Sequence, residues 1–470
     1  MRRHTRALYP CLTLVLLAQP AARLAAQVSA ADREEARAIF AELININTTH
    51  AHGSTTPAAQ AIAERFLAAG FPAADVQVVG PDTTHMNVVV RLRASHPARR
   101  PILLLAHLDV VEALRDDWSV DPFQFAELDG FFYGRGTSDI KDLGAIYAQV
   151  LLRLHREAAA TDRDLILALT AGEEGGGNNG VQWLLASRRE LIDAAYCVNG
   201  DGGDPIVRRG HMEARNVQAS EKVYMDLELT VRNPGGHSSL PVRDNAIYRL
   251  AAGLDRLARF SFPARLNEIT RAYFDRAAAS APPATAAAMR RAAAGDRTAI
   301  ARLSAESPFF NAQFRTTCVA TRLEGGHADN ALPQLALAVV NCRMLPDENP
   351  DSVSATIRRV TGDTAIHVTV RQAPVPSPPS PLVPEVLEPV ERITRVLWPE
   401  ATVIPSMETG ATDGLYLRNA SMPVYGISGV PLDEDDIRAH GRDERIRVSA
   451  FYEGLDFSYR LVRALAVPGS

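Results

Sequence analysis

The chain is poor in cysteine, in net positive charge and in long apolar runs. Only four of its 470 residues are cysteine. Cys11 falls in an N-terminal apolar stretch, which leaves Cys197, Cys318 and Cys342. That count is odd, so at least one thiol is unpaired and disulfides are not the main source of rigidity. Lysine and arginine number 50 against 55 aspartates and glutamates, a formal net charge of −5. This balance lacks the basic excess that neutralises phosphates, and no nucleic-acid partner is expected. The one apolar run of note, Ala7 to Ala18, contains Pro10 and stops at Gln19. A membrane span needs about 20 apolar residues, so neither a polytopic membrane protein nor a stable membrane anchor is expected. Disorder as the main state is excluded by a composition of 46% hydrophobic and 22% charged residues.

Arg2, Arg3 and Arg6 precede the apolar run, and the small residues Ala25, Ala26 and Ala30 follow it. A charged start, a short apolar centre and a small-residue zone form a secretory signal, assigned to residues 1–26. The protein is therefore expected to be exported, periplasmic or secreted. Without this segment the chain loses four arginines and no acid, and its net charge falls from −5 to −9.

A mass of 50.9 kDa predicts two or three domains of about 150 residues each. Helical spacing over 32–45 and 57–69, strand patterns over 86–94, 102–111, 164–171 and 194–198, and helices over 142–157 and 181–187 give an alternating α/β domain with a mostly parallel sheet. The pattern then changes. Strands at 223–231, 313–323, 335–344 and 366–371 and helices at 246–260 and 351–360 follow the order β-α-β-β-α-β of a ferredoxin-like sandwich. An alanine-rich, helical stretch from Arg271 to Ser304 interrupts it. After a proline-rich connector, Pro374 to Pro384, a helix near 386–397 and a strand near 423–427 resume the α/β pattern. The predicted organisation is a split catalytic domain (27–215 and 373–470) with a smaller lid or dimerisation domain inserted at 216–372. Clefts between such domains commonly hold active sites.

Acids and histidines cluster at the predicted strand ends. His107 and Asp109 close one strand in AHLDVV, and alternation puts both on one face. Asp139 opens a helix in GRGTSDIKD, Glu173 and Glu174 follow a strand in TAGEEGGG, and Asp201 follows another in NGDGG. His440 lies in the polar segment AHGRDER. A single such residue is usually a local cap. Several at successive strand ends point instead to ligand chemistry, because α/β folds bind ligands there. Imidazole and carboxylate without thiolate suit zinc, or another borderline-hard divalent ion, in a catalytic site. Two ions sharing one carboxylate would match His107, Asp139, Glu174, Asp201 and His440. The glycine-rich stretches lack both a dinucleotide fingerprint and the Lys-Ser/Thr of a phosphate loop.

In this order, HLDVV, GRGTSDIKD, EEGGG, NGDGG, GGHSSLP, NALP, CRMLP, GATDGLYLR and AHGRDER resemble the dinuclear zinc peptidase family of glutamate carboxypeptidase, aminoacylase, succinyl-diaminopimelate desuccinylase and carnosinase. The long inserted segment is similar to the carboxypeptidase S and secreted N-acyl-amino-acid hydrolase branch. The resemblance implies two zinc ions per subunit, replaceable by cobalt or manganese. His107 would bind one and His440 the other, Asp139 would bridge them, and Glu174 and Asp201 would complete one site each. Asp109 would hydrogen-bond His107 and fix its tautomer. Glu173 would be the general base, taking a proton from the metal-bridging water that attacks the amide carbonyl. His237 would donate to the oxyanion, in relatives often across a homodimer. Asn330, Arg343, Gly410, Thr412 and Asp413 would stand on the substrate side, with Arg343 clamping a terminal carboxylate.

The activity so implied is hydrolysis of a peptide amide, as a carboxypeptidase or dipeptidase, or of an N-acyl amino acid. The alternatives are a narrow non-peptide amidohydrolase and a metal-dependent binding protein without turnover. The intact Glu173 and His237 disfavour the latter. Two positions depart from the family pattern: Asp201 where many relatives carry glutamate, and Asp142 where glycine is common. Cys318 and Cys342 fall on strands expected to be neighbours. A disulfide between them is open, but two buried thiols are the expectation, since register cannot be read from sequence.

Overall fold

Leucine and isoleucine dominate the runs Ile102–His107 and Leu165–Thr170, and these two and Tyr196–Asn199 are each buried along their whole length. Such runs suit strands covered on both faces. In the computed structural model, which describes residues 28–175 and 177–469, they lie side by side and parallel at the centre of a ten-stranded sheet. Strand Val424–Gly426 continues the parallel set beside Tyr196–Asn199. Antiparallel pairs flank the centre: Val76–Val79 with Asn87–Leu92 on one side, and Pro205–Arg208 with His211–Glu221 on the other. The secretory signal expected over residues 1–26 lies outside the described residues. Among the described residues no helix is long and apolar enough to cross a membrane.

Alternation along the central strands sorts their side chains into two cores. Ile102, Leu104, Leu165 and Leu167 pack with helices Ala30–Ile44, Lys141–Arg156 and Val448–Ala466. Leu103, Leu105, Ile166 and Ala168 pack on the other face with Val181, Leu184 and Leu417. The result is three layers, helices over both faces of one sheet.

The second sheet is four-stranded and antiparallel throughout, in the order Thr317–Gly325, Leu335–Met344, Val223–Arg232, His367–Val370. This is the ferredoxin-like order expected. One face packs on helices Ala246–Ala258 and Pro350–Thr361. Val223–Arg232 buries Met225, Leu227, Leu229 and Val231 in strict alternation.

Two expectations are corrected. Cys318 and Cys342 are disulfide-bonded, not a pair of thiols. The register sets them directly opposite each other on adjacent antiparallel strands, the placement that cross-strand bonding needs. Cys197 is the free, buried thiol. The strand predicted from Gln313 begins only at Thr317, because residues Pro308–Phe314 are helical. Ser307 caps that helix through Phe310 N–H, and Pro308 supplies the favoured first-turn residue.

The alanine-rich insertion folds as helices Glu268–Ala277, Pro283–Ala293, Arg297–Glu306 and Pro308–Phe314. They enclose a core of their own containing Phe274, Met289, Leu303 and Phe314, with the rings of Phe274 and Phe314 stacked at 4.3 Å. Ile404, on strand Thr402–Glu408 of the large sheet, belongs to the same core. Gln313 Nε2 donates to the Met407 carbonyl at 2.9 Å, and Arg276 Nη1 reaches Glu391 at 2.7 Å and the Val403 carbonyl at 3.2 Å. The insertion thus leaves the small sheet and docks on the large one.

Candidate metal centre

Adjacent parallel strands end on the same edge of a sheet, so the residues just beyond them converge. His107 ends its strand, Glu173 and Glu174 follow Leu165–Thr170, and Asp201 follows Tyr196–Asn199. Asp139 stands two residues before the first residue of helix Lys141–Arg156, and His440 arrives on the loop before strand Arg445–Arg447 with a left-handed φ of 61°. The fold brings these residues together. His107 Nε2 lies 3.1 Å from Asp139 Oδ1. His440 Nε2 lies 3.0 Å from Asp139 Oδ2 and 2.9 Å from Glu174 Oε1. Asp139 therefore stands between the two imidazoles. One ligand atom each of His107, Asp139 and Glu174 lie within 4.8 Å of one another, as do those of His107, Glu173 and Asp201.

The electrostatics follow from packing acids together out of water. Burial, then the charge of Asp201, pushes the Glu173 carboxyl well above the ordinary range. Burial, then Asp139, does the same to Asp201. Burial pushes Glu174 up to about 7, and Asp413 likewise to about 7. Asp139 is the exception. Burial would raise it, but hydrogen bonds from both histidines hold it well below the usual carboxylate range. His440 is pushed up to about 9, chiefly by its hydrogen bond to Asp139. A group of carboxylates that repel one another beside two imidazoles is costly unless cations occupy it. The donor set is all oxygen and imidazole nitrogen, which fits borderline-hard divalent ions.

Asp109 departs in detail from its expected part. The hydrogen bond from His107 Nδ1 goes to the Asp109 backbone carbonyl at 3.0 Å, while its carboxylate is 3.9 Å away. The carboxylate accepts instead from the backbone N–H groups of Glu173 and Glu174, at 3.2 and 2.9 Å. With Nδ1–H fixed on a carbonyl, Nε2 is the nitrogen turned towards Asp139, where it hydrogen-bonds that carboxylate and is the atom that would bind an ion, so the orientation of the ring is still set. The carboxylate fixes the glutamate loop. Gly172, with φ of 73°, lets the chain turn into that loop, where a Cβ would lie 2.6 Å from the Asn178 carbonyl oxygen.

Sequence reasoning missed the residue that holds together the loops carrying Asp139 and His440. Glu444 is fully buried. Its carboxylate accepts from Arg135 Nη1 at 2.6 Å, Gly136 N at 3.1 Å, Ser138 N at 2.8 Å and Ser138 Oγ at 3.1 Å. The loop carrying Asp139 is thus clamped to the loop carrying His440. The available signal was an acid four residues after His440 in AHGRDER, facing an arginine in GRGTSD.

The substrate-side residues fall into separate places. His237 and Asn330 are exposed and adjoin in a two-stranded ribbon, where His237 pairs with Ala331 and Ser238 N donates to the Asn330 carbonyl at 3.0 Å. His237 Nδ1 meets Ser239 Oγ at 2.7 Å. Among the described residues neither His237 nor Asn330 bonds to the metal cluster. Arg343 lies over the Tyr224 ring at 4.7 Å on the small sheet. Gly410 is exposed. Thr412 is buried, and its N–H and hydroxyl donate to Glu221 at 3.1 and 3.0 Å. Asp413 is buried and accepts from Asn179 Nδ2 beside the glutamate loop.

Residues 103–464 match the model of the peptidase family M20/M25/M40. The chain is 29% identical to N-fatty-acyl-amino acid synthase/hydrolase PM20D1 of Homo sapiens over 381 residues, covering 79% of this chain and 75% of that protein. It is 26% identical to a probable carboxypeptidase S-like protein of Dictyostelium discoideum, covering 80% and 74%. Its fold is similar to that of an M20 family metallo-carboxypeptidase from Sulfolobus solfataricus, with a TM-score of 0.69 at 17% identity, covering 92% and 99%.

Proposed function

The chain belongs to the M20/M25/M40 peptidase family, and from that premise we propose that it is an exported two-zinc amidohydrolase of N-acyl amino acids, or of short peptides, that carry a free carboxylate. His107 and Asp201 would hold one ion and His440 and Glu174 the other, with Asp139 shared. When bound, such ions polarise an amide carbonyl and acidify a water. Zinc is proposed from the donor set; cobalt or manganese can use the same atoms.

The observation that carries this reading is Glu173. It is an acid beside the ligand cluster, its backbone tied to Asp109, and its proton affinity is raised by burial and by Asp201. A carboxylate so placed takes the proton of the attacking water and returns it to the leaving nitrogen. Asp109 keeps Glu173 and Glu174 in register with His107. His237 donates to the oxyanion as the carbonyl becomes tetrahedral, reaching it across a homodimer of the inserted domain, and Arg343 clamps the substrate carboxylate. The N-acyl reading is supported by the similarity to the human N-fatty-acyl-amino acid enzyme, and the peptide reading by the carboxypeptidase S-like relative.

The test is incubation of residues 27–470, loaded with zinc, with a mixed library of dipeptides and N-acyl amino acids, read by mass spectrometry. Specific amides are expected to disappear, and chelation abolishes the loss. Glu173→Gln lowers the rate by about 10²–10⁴-fold with the metal content unchanged. A folded, dimetal protein that consumes no member of the library would overturn the substrate assignment. A Glu173→Gln variant of undiminished rate would overturn the assignment of the base.

A further inference from the structure

The helical insertion contributes no residue to the metal centre, yet the junction where the chain enters and leaves it contains a cavity of about 530 Å³. Its polar lining is arginine: Arg265, Arg271, Arg297 and Arg315, beside the apolar Leu266 and Ile300. No acid lines it. Most arginines among the described residues, exposed ones included, sit on a carboxylate, as Arg135 does on Glu444 and Arg418 on Glu221. Here only Arg265 does so, pairing with Asp347 and standing 4.0 Å from Glu348. Arg271 donates to the Ala293 carbonyl. Arg315 donates to Ser304 Oγ at 3.2 Å, and its Nε is buried with no hydrogen-bond partner. Arg297 has no hydrogen-bond or ion-pair partner among the described residues. Behind the wall, Lys222 Nζ donates to the Arg315 carbonyl at 2.7 Å.

Three guanidinium groups without a counter-charge around one cavity repel one another, and a buried N–H without an acceptor is a desolvated donor. The repulsion is relieved by an anion in the cavity. A single carboxylate carries one charge and would leave most of this cationic wall unmatched. A phosphoryl group carries nearly two charges at neutral pH and three acceptor oxygens, and guanidinium forks meet it bidentately. The cavity is larger than a phosphate ion, and its remaining wall is apolar, so an organic body can follow the phosphoryl group. We propose that this cavity binds the dianionic phosphoryl group of a small soluble molecule, inorganic phosphate or a phosphomonoester.

Isothermal titration of the zinc-loaded protein with inorganic phosphate and with glycerol phosphate, at constant ionic strength in chloride, tests this. Saturable binding is expected, and the double variant Arg271→Gln/Arg297→Gln, changed at two exposed positions, weakens it tenfold or more. Phosphate ligating the zinc ions would persist in that variant, so equal binding by the two proteins overturns the proposal. Phenylglyoxal labelling of the unaltered protein gives a check that does not depend on how the variant folds. Phosphate is expected to protect Arg271, Arg297 and Arg315 in the mapped peptides, and unchanged labelling overturns the proposal. Sedimentation with phosphatidate vesicles in the absence of any soluble phosphate binding would also overturn it, by assigning the cationic wall to a lipid surface.

Discussion

Replacing Glu444 with alanine tests how the loops carrying Asp139 and His440 are held. The carboxylate is fully buried and accepts four hydrogen bonds, one of them from the guanidinium of Arg135, itself 3% exposed. Arg135 cannot swing to solvent, because its Nη2 is held by the carbonyls of Gly441 at 2.9 Å and Glu112 at 3.4 Å. Removing the acid therefore leaves a buried charge unpaired, a loss of about 3–5 kcal/mol. The amides of Gly136 and Ser138 lose their acceptor as well, at about 1–3 kcal/mol each if no water replaces it. Water entering the vacated space offsets part of this, so about 3–5 kcal/mol is the expected total. That is a large share of the roughly 5–15 kcal/mol that stabilises a typical fold. Urea denaturation reads it as a lower midpoint at unchanged slope, and metal analysis reads the loosening of Asp139 as reduced zinc content. The paired change Arg135→Met with Glu444→Leu is expected to be milder than Glu444→Ala alone, since it leaves no orphaned charge. A loss below about 1 kcal/mol in Glu444→Ala, or a double variant equal to the sum of the singles, would refute the reasoning.

Other expectations follow from the same coordinates. Burial would raise the Asp32 carboxyl, but hydrogen bonds from Ser29 and the charges of Arg153 and Arg156 outweigh it and hold Asp32 below the ordinary carboxylate range. Its contribution is therefore fully present above the ordinary value of 3.8 and is lost as the pH falls below it; acid titration should destabilise Asp32→Asn less than the parent below about pH 4. The Cys318–Cys342 bridge closes a separation of 24 residues, and its removal as Cys318→Ser/Cys342→Ser is expected to cost about 2–4 kcal/mol, measured as a shift in denaturation midpoint; an equal shift on treating the parent with reductant identifies the bond as the cause. Chelation should lower the melting temperature, and added zinc should restore it by about 2.7 kcal/mol at a hundredfold excess over the dissociation constant; melting independent of free zinc would count against a resident metal.

The centre of the large sheet was legible because strands covered on both faces must be apolar throughout, and Leu165–Thr170 and Ile102–His107 are. His107, Glu174 and Asp201 were legible because they stand at or just past the central strands, where acids have no packing role. Strand His211–Glu221 was not, since it carries Arg215, Gln218 and Glu221, all fully buried. Their polar partners come from distant segments: Arg215 Nη1 donates to the Gly203 carbonyl, and Glu221 meets Arg418 at 2.9 Å. Strand Thr402–Glu408 was hidden by Pro405, which argues against a central strand. Among the described residues it pairs only with His211–Glu221, an edge position where proline is tolerated. The insertion showed its helices but not its place, because an alanine-rich sequence does not say which of its faces meets another domain. Register was equally hidden, and it decided the disulfide. Glu444 escaped notice because nothing local distinguishes a clamp from a solvated acid.

The docking of the insertion has a mechanical consequence. A body joined to another by two chain crossings can turn about the line between them, like a door on its pins. The small sheet is joined to the large one where His211–Glu221 passes into Val223–Arg232 and again where the chain returns after His367–Val370. Phe274, Phe314 and Ile404, with the bonds of Gln313 and Arg276, add a third foot away from that line, and the door becomes a tripod. Any rotation of the small sheet then has to shear a stacked aromatic core or bend the chain at 259–267 and 315–316. The two sheets are accordingly expected to keep one relative orientation through the catalytic cycle. Small-angle scattering that changes on adding product would show that the third foot lifts.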